Sequence, residues 1–228
     1  MDGKITIYIA GDSTASSKLQ EKRPESGWGE AFQTYFKDHV RVDNRAINGR
    51  STKSFIREGH LENIKKSIKS GDYLLIQFGH NDQKIEDTER GTHPYRDYQE
   101  NLHDFIDVAY SANAYPVLLT PVTRRYFNGD KIDPKSVGDY PEAMLHFAKK
   151  HHVPTLDIHK LTCEWMNSIG EEESISYFLH LSPGESENYP DGVQDNTHFN
   201  DKGARAVAHL IVETIKKSDL PLKHLLNH

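Results

Sequence analysis

A serine near the start of the chain and an aspartate and histidine near its end are residue types that together can hydrolyse an ester. Ser13 lies in the turn-forming segment Gly11-Asp12-Ser13-Thr14, and Asp195 stands three residues before His198. Such a carboxylate can accept the Nδ1 proton of the imidazole, which leaves Nε2 free to take a proton from a serine. Each segment alone also fits ordinary turn or helix-capping chemistry. The three residues are therefore candidates for nucleophile, orienting acid and base.

Two other segments contain groups that can donate hydrogen bonds to the oxygen of a reacting carbonyl. Gly49 in Asn48-Gly49-Arg50 offers a backbone N–H, and Asn81 in Gly79-His80-Asn81-Asp82 offers a side-chain NH₂. Both segments follow strand-like runs, and neighbouring parallel strands would direct them to one crevice. Considered singly, a positive-φ turn explains Gly49 and an Asx-turn explains Asn81.

The elements that must position these residues alternate along the chain. Short β-branched and aromatic runs predict strands at Ile5–Ala10, Arg41–Ala46, Tyr73–Phe78, Tyr115–Thr120 and Pro154–Ile158. Helical patterns lie at Gly29–Lys37, His60–Lys69, Tyr95–Ala112, Tyr140–His151, His159–Met166 and Asp201–Lys217. Nearly continuous apolar strands joined by helices are typical of a parallel sheet covered on both faces. The sequence predicts a doubly wound, three-layer α/β/α fold with a five-stranded parallel sheet, in a single domain over residues 1–228.

Two stretches interrupt this alternation, Pro121–Asp139 and Gly170–Asn196. Long loops beyond the strands of an α/β sheet are usually functional, so both are candidate walls of a substrate site. The acidic run Glu171–Glu173 within the second stretch is better explained as a solvated loop or helix start.

Composition excludes several classes of protein. The 228 residues include 28 Lys and Arg, 34 Asp and Glu and one cysteine, and the formal net charge is −6. An acidic chain argues against nucleic acid as the main partner, and a lone Cys163 allows neither an intrachain disulfide nor a cysteine-based zinc site. The apolar runs are too short to cross a bilayer. The first residues lack a secretory signal, so we expect a cytoplasmic protein, although a chain trimmed of its leader would read identically.

The four segments, in this order, resemble the conserved blocks of the SGNH (GDSL-like) hydrolases: Gly11-Asp12-Ser13, Gly49, Gly79-His80-Asn81-Asp82 and Asp195-Asn196-Thr197-His198. That resemblance implies a serine esterase with a flavodoxin-like fold. It implies Ser13 as nucleophile, Asp195 as orienting acid and His198 as base. The oxyanion would be held by the N–H groups of Ser13 and Gly49 and by Asn81. The chemistry implied needs neither a metal nor an organic cofactor.

A narrower resemblance, to the rhamnogalacturonan acetylesterases, rests on the residues around these blocks: Ile9–Thr14, Gly27-Trp28-Gly29, Asn44-Arg45-Ala46, Gly49–Phe55, Gln77–Asp82, Thr120–Arg125 and Asp195–Phe199. It implies an acetylated pectic polysaccharide or oligosaccharide as substrate. Asn48 departs from it, because a second glycine is expected there, and Gly170–Asn196 aligns with nothing in that subfamily.

A pectic substrate is acidic, so cationic and flat apolar side chains are candidate contacts. Arg50, Arg124 and Arg125 follow strand ends and could face galacturonate carboxylates, and Trp28, or else Tyr126 or Phe127, could stack on sugar rings. His80 could shape the site beside Asn81. Surface solvation of the arginines and ordinary packing of the rings explain these residues equally well.

Three other functions stay open at this point. The first is a generic acetylesterase or a lipase-like esterase of the same family. A metal-dependent phosphoesterase is a second, suggested by Gly11-Asp12, Gly79–Asp82 and Asp157-Ile158-His159, although the order of its Asp, Asn and His residues is wrong for that class. The third is a carbohydrate-binding protein without activity, which would not need Ser13, Asp195 and His198 together.

Overall fold

Five parallel strands form the central sheet in the computed structural model, which describes residues 4–227. In chain order the strands within these residues are β1 (Ile5–Gly11), β2 (Glu25–Ser26), β3 (Val40–Asn44), β4 (Tyr73–Gln77), β5 (Tyr115–Leu119), β6 (Phe127–Asn128), β7 (Lys131–Ile132), β8 (Thr155–Leu156), β9 (Phe178–Leu181) and β10 (Val193–Asn200).

The α-helices of the same residues are α1 (Trp28–Phe32), α2 (Thr52–Arg57), α3 (His60–Lys65), α4 (Asp97–Ser111), α5 (Tyr140–His151), α6 (Ile158–Ser174) and α7 (Asp201–Lys217). Short 3₁₀ helices cover Gln20–Lys22, Gln33–Tyr35, Ile175–Tyr177 and Pro221–Leu225. No helix among residues 4–227 is both long enough and apolar enough to span a bilayer.

The strand order of the central sheet is β3-β1-β4-β5-β8. Counted within the sheet this is 2-1-3-4-5, the flavodoxin-like order, in which the chain turns to opposite sides after the first strand. This result confirms the predicted fold class and all five predicted strands, whose ends differ from the prediction by a few residues. Ligands of such sheets bind beyond the carboxyl ends of the strands at this switch point, where β3, β1 and β4 lie side by side.

Both faces of the sheet are covered, because alternate residues of β1 enter different hydrophobic clusters. Ile7 and Ile9 pack in the cluster that contains side chains of α1, α6 and α7. Tyr8 and Ala10 pack in the cluster that contains side chains of α2, α3, α4 and α5. The central strands are thereby held rigidly from two sides, which fixes the positions of the turns at their carboxyl ends.

The stretch Gly170–Asn196, predicted as one long loop, is largely ordered into regular elements. Helix α6 continues to Ser174 past a kink at Gly170, and β9 and β10 then join β2 in a separate antiparallel sheet of order β2-β10-β9. The sequence of β10 is polar at most positions and lacks the alternation that identifies a half-buried strand. Pro121–Asp139 likewise contains the small hairpin of β6 and β7.

Candidate active site

The Ser13 turn begins directly after β1 and is held by the buried carboxylate of Asp12. Asp12 Oδ1 accepts hydrogen bonds from the N–H and the hydroxyl of Thr14 at 2.9 and 2.8 Å. Burial by itself would raise the pKa of Asp12, but the charge and hydrogen bond of His80 and the bonds from Thr14 lower it below its usual range. An ionised carboxylate therefore anchors the turn that presents Ser13 at the edge of the sheet.

The structure brings Ser13, His198 and Asp195 together in one series of hydrogen bonds. Ser13 Oγ lies 2.9 Å from His198 Nε2, although 185 residues separate the two in sequence. His198 Nδ1 lies 2.6 Å from Asp195 Oδ2. With Nδ1–H donating to the carboxylate, Nε2 is the ring nitrogen that can accept the serine proton. This geometry can activate a serine hydroxyl for attack on a carbonyl.

The Asp195 carboxylate is well suited to remain ionised. Its partial burial favours the neutral form, but the hydrogen bond and charge of His198 and the backbone N–H groups of Thr197 and His198 outweigh this and lower the pKa of Asp195 to about 2. The two N–H groups donate to Oδ1 at 2.7 and 3.0 Å. Oδ2 is thus left to face the imidazole.

An irregularity in β10 aims these residues at the serine. The pairing with β9 is regular at Asp195, opposite Leu179, and resumes only at Phe199, opposite Phe178. The residues between them bulge out of the ladder, and bulges of this kind redirect side chains next to functional sites. The side chains of Asp195 and His198, three positions apart in an otherwise extended strand, can therefore meet.

The predicted oxyanion donors lie at the ends of the neighbouring strands. Gly49 follows β3 with φ +74°, a conformation that side-chain-bearing residues adopt rarely. Among the turns and loops of residues 4–227, neither the Ser13 N–H nor the Gly49 N–H donates to a backbone carbonyl. Asn81 donates from Nδ2 to the Arg50 carbonyl at 3.0 Å, which keeps its NH₂ group against the Gly49 loop.

His80 lies beneath the Ser13 turn. It is 3% exposed, and its Nδ1 lies 3.3 Å from Asp12 Oδ2. Burial lowers the pKa of His80, and the charge and hydrogen bond of Asp12 oppose this shift. The role of His80 in shaping the site stays a prediction, and its burial places it behind the Ser13 turn, where it cannot contact a substrate directly.

The prediction that Trp28 stacks on a sugar is wrong. Trp28 has no exposed surface, and its Nε1 donates to Gln77 Oε1 at 2.5 Å. Gln77 in turn donates to the Thr14 hydroxyl at 2.7 Å. The indole is thus a core side chain, and a buried series of hydrogen bonds leads from it to the Ser13 turn. Gly29 beside it allows this close packing, since a Cβ there would lie 2.5 Å from the Ala15 carbonyl oxygen.

The prediction that Arg125 faces a substrate carboxylate is also wrong. Arg125 is 7% exposed, and its guanidinium donates to Ser174 Oγ, Asn196 Oδ1 and the Glu171 carbonyl at 2.8, 3.1 and 2.5 Å. These three bonds tie the end of α6 to β10. The sequence could not predict this role, because the acceptors of Arg125 come from α6 and β10, which are distant from it in sequence.

Arg50 and Arg124 remain available as candidate contacts. Arg50 forms an ion pair with Glu58 at 2.8 Å, and 36% of its side chain is exposed. Arg124 donates to the Thr197 hydroxyl beside His198 and to the His80 carbonyl. Of the ring candidates, Tyr126 is exposed, and Phe127 is partly covered by the guanidinium of Arg125 at 5.7 Å from the ring centre.

Two cations near the predicted oxyanion donors were not foreseen from the sequence. Lys84 donates from Nζ to Asn81 Oδ1 at 3.0 Å. Arg90, held by an ion pair with Asp87, has Nη1 3.9 Å from the point where a Cβ on Gly49 would lie. Both residues belong to the loop between β4 and α4. No sequence pattern distinguishes a charged loop residue that lies at a functional site from one that is simply exposed to solvent.

Within residues 4–227, no three His, Cys, Asp or Glu side chains are grouped so that they could hold a metal ion. Cys163 is a buried free thiol.

A flavodoxin-like sheet that carries a hydrogen-bonded serine, histidine and aspartate at its carboxyl edge is an arrangement typical of serine hydrolases. Comparison with known proteins agrees with this class. The sequence pattern of the GDSL-like Lipase/Acylhydrolase family matches residues 9–206. The chain therefore belongs to the GDSL-like lipase/acylhydrolase family, whose members hydrolyse carboxylic esters, and the predicted relationship is confirmed.

Individual proteins of known name or structure are also similar to this chain. The chain is 45% identical over 228 residues to rhamnogalacturonan acetylesterase RhgT of Bacillus subtilis (strain 168), a match that covers 100% of this chain and 97% of that protein. It is 36% identical over 217 residues to the probable rhamnogalacturonan acetylesterase YesY of the same organism, with 95% and 94% covered. The crystal structure of the Bacillus subtilis protein YxiM superimposes with a TM-score of 0.80 at 26% identity, over 96% of this chain and 58% of that one.

Proposed function

We propose that this chain removes acetyl groups from rhamnogalacturonan or its oligosaccharides through an acyl-enzyme formed on Ser13. The observation that carries this proposal is the series of hydrogen bonds from Ser13 through His198 to Asp195, at 2.9 and 2.6 Å. Similarity over nearly the whole chain to two proteins named for rhamnogalacturonan acetylesterase activity supports the choice of substrate.

In the first half-reaction Ser13 Oγ attacks the acetyl carbonyl carbon while His198 Nε2 takes the hydroxyl proton. The Asp195 carboxylate holds the imidazole in the required tautomer and stabilises the imidazolium that forms. The tetrahedral intermediate then collapses, and the sugar hydroxyl leaves with the proton from Nε2. In the second half-reaction His198 Nε2 takes a proton from the water that attacks the acetyl-serine. As the second tetrahedral intermediate collapses, Nε2 returns the proton to Ser13 Oγ, and acetic acid leaves and ionises to acetate.

The negative charge on the carbonyl oxygen would be met by the N–H groups of Ser13 and Gly49 and by Asn81 Nδ2. Asn81 is 4% exposed, and its amide is fixed on both sides by Arg50 and Lys84. Donors that are already oriented need no rearrangement as the charge develops, which makes them effective in the transition state.

The charges around the site favour an acidic substrate. Arg50, Lys84, Arg90 and Arg124 each contact or adjoin a residue of the proposed site, although the whole chain has a net charge of −6. Local cations in an otherwise acidic protein raise the local concentration of an anionic ligand. The galacturonate carboxylates of a pectic backbone are ligands of this kind.

We further propose that the chain acts as one domain, because the members of the triad come from its two ends and meet on one sheet. The expected cytoplasmic location stays a prediction.

Acetate release from acetylated rhamnogalacturonan, acetylated xylan and an aryl acetate tests the proposed substrate. We expect the highest kcat/KM on rhamnogalacturonan. Arg90→Met should raise KM for that polymer and leave the aryl acetate unaffected, whereas Arg205→Met is the matched control, because Arg205 is an exposed arginine on α7 paired with Asp201 at 2.7 Å. Equal turnover of xylan would instead identify a less selective acetylesterase. Acetate release that chelators leave unchanged would exclude a metal-dependent reaction, and acetate release that chelators abolish would contradict the proposed serine mechanism.

A further inference from the structure

Lys18 is a buried cation directly behind the Ser13 turn. Its side chain has no exposed surface. Nζ lies within hydrogen-bonding distance of four acceptors: the Ser13 carbonyl at 2.6 Å, Ser16 Oγ at 2.9 Å, Asn48 Oδ1 at 2.5 Å and Glu25 Oε1 at 2.8 Å. Burying an ammonium group costs several kcal/mol unless such partners replace its water. A lysine whose ammonium group stayed in water would carry no such desolvation cost, so the burial of Lys18 needs an explanation.

Three of the partners of Lys18 lie in, or pair with, the segments that carry the proposed chemistry. Ser13 is the nucleophile, and Asn48 precedes the oxyanion donor Gly49. Glu25 lies in β2, where it pairs with Asn200 of β10, the strand that carries His198. One ammonium group therefore connects the nucleophile turn, the oxyanion loop and the strand of the acid and base.

The contact with Asn48 also accounts for the departure from the narrower resemblance. Asn48 Oδ1 accepts from Lys18 Nζ and from Ser16 Oγ, both at 2.5 Å. A glycine in its place would offer no side-chain acceptor. The asparagine thus attaches the exposed Gly49 loop to the buried cation.

From these contacts we infer that Lys18 is a positioning residue, which sets the distance between the Ser13 hydroxyl and the Gly49 N–H for the acyl transfer described above. The inference rests on the proposed function. Hydrogen bonds from a charged donor are roughly twice as strong as neutral ones and hold their geometry more tightly. Small displacements of reacting groups are costly in rate, up to about 10²-fold for 1 Å.

Kinetics of Lys18→Met and Asn48→Ala on p-nitrophenyl acetate test this role, since a small aryl ester needs no polysaccharide contacts. We expect Lys18→Met to lower kcat by about 10- to 100-fold with KM unchanged. Asn48→Ala should lower kcat less. The double variant should be only slightly slower than Lys18→Met, because both substitutions remove the Lys18–Asn48 contact and Asn48→Ala removes in addition only the bond from Ser16 Oγ. Lys22→Met, at an exposed neighbouring lysine, is the control.

An effect of Lys18→Met on folding must be distinguished from an effect on the positions of the reacting groups, because the substitution leaves Glu25 with no countercharge. Each kcat is therefore expressed per active site titrated with a fluorophosphonate. Lys18→Met/Glu25→Gln, in which neither charge remains, repeats the measurement. A purely structural role would lower thermal stability but leave the kcat per titrated site unchanged. Such a result, in both Lys18→Met and Asn48→Ala, overturns the inference. If the parent enzyme neither hydrolyses the ester nor reacts at Ser13, the proposed function fails first and the inference falls with it.

Discussion

Replacing Asp195 by asparagine removes the charge of the carboxylate while keeping the shape of the side chain. In the structure, Oδ1 accepts the N–H groups of Thr197 and His198, and Oδ2 faces His198 Nδ1 at 2.6 Å. Asparagine can still accept at Oδ1, but its NH₂ group would face Nδ1. Two donors cannot share a hydrogen bond, so the ring must carry its proton on Nε2, against the Ser13 hydroxyl.

The wrong tautomer leaves the serine without a base. In trypsin-like proteases the equivalent change lowers kcat by about 10⁴-fold, which sets the scale here and corresponds to about 5 kcal/mol of transition-state stabilisation. We expect a loss of the same order for Asp195→Asn. The free energy of unfolding should fall by no more than about 2.5 kcal/mol, the stabilisation that a pKa lowered from 3.8 to about 2 represents at neutral pH, because the two backbone bonds persist.

The measurement is kcat on p-nitrophenyl acetate, with ¹⁵N NMR of the His198 ring to identify the tautomer. Asp191→Asn, at an exposed aspartate four positions earlier, is the matched control and should retain full activity. A kcat for Asp195→Asn within about tenfold of the parent would refute the assigned role of the carboxylate. An unchanged tautomer would refute the reasoning behind it.

Three further substitutions test other parts of the site and its support. Asn81→Ala should lower kcat by about 10²–10³-fold with KM unchanged, because its bond strengthens in the transition state; a change confined to KM would argue against an oxyanion role. Burial raises the pKa of Asp82 to about 7, against the lowering effect of bonds from two threonines. Between the ordinary pKa of an aspartate and about 7, the folded protein keeps a proton on Asp82 that the unfolded chain has lost. Over this range the free energy of unfolding therefore falls with rising pH, by as much as about 1.4 kcal/mol per pH unit. Urea unfolding at pH 5 and pH 7 should show a smaller fall in Asp82→Asn, and an equal fall in both proteins would contradict the shift. Trp28→Phe should lower the free energy of unfolding by about 1–3 kcal/mol, since Gln77 loses its buried donor, and should leave KM for the polysaccharide unchanged; a raised KM would restore the stacking role.

Local patterns were enough to predict the central sheet. The strands of that sheet are apolar on both faces, as in Tyr73–Gln77, and a run of this kind is visible in a single sequence. The second sheet was missed because β10 is formed mainly from polar residues, and its partners β2 and β9 are only 2 and 4 residues long. Helix α2 was missed as well, because its two apolar residues are adjacent and lack the i, i+3 spacing that Leu61 and Ile64 give the equally short α3.

The sequence predicted the site residues that stand in motifs. It did not predict the roles of side chains whose environment depends on contacts distant in sequence. Ser13, Asp195 and His198 stand in ordered blocks, and the structure brings the three together. The burial of Trp28 depends on Gln77, 49 residues away, and the Arg125 guanidinium is held by uncharged hydrogen-bond acceptors 46 to 71 residues away. Lys18 gives no signal at all in the sequence, because its importance comes from Asn48 and Glu25 meeting around it.

Covalent labelling with a fluorophosphonate, followed by peptide mapping, tests the central claim most directly. The proposed chemistry predicts a single adduct on Ser13, absent in Ser13→Ala and formed far more slowly in His198→Ala. Ser17→Ala, at an exposed serine of the same segment, should label like the parent. An adduct on another residue, or labelling of Ser13→Ala at the rate of the parent, would contradict the assignment of Ser13 as the nucleophile.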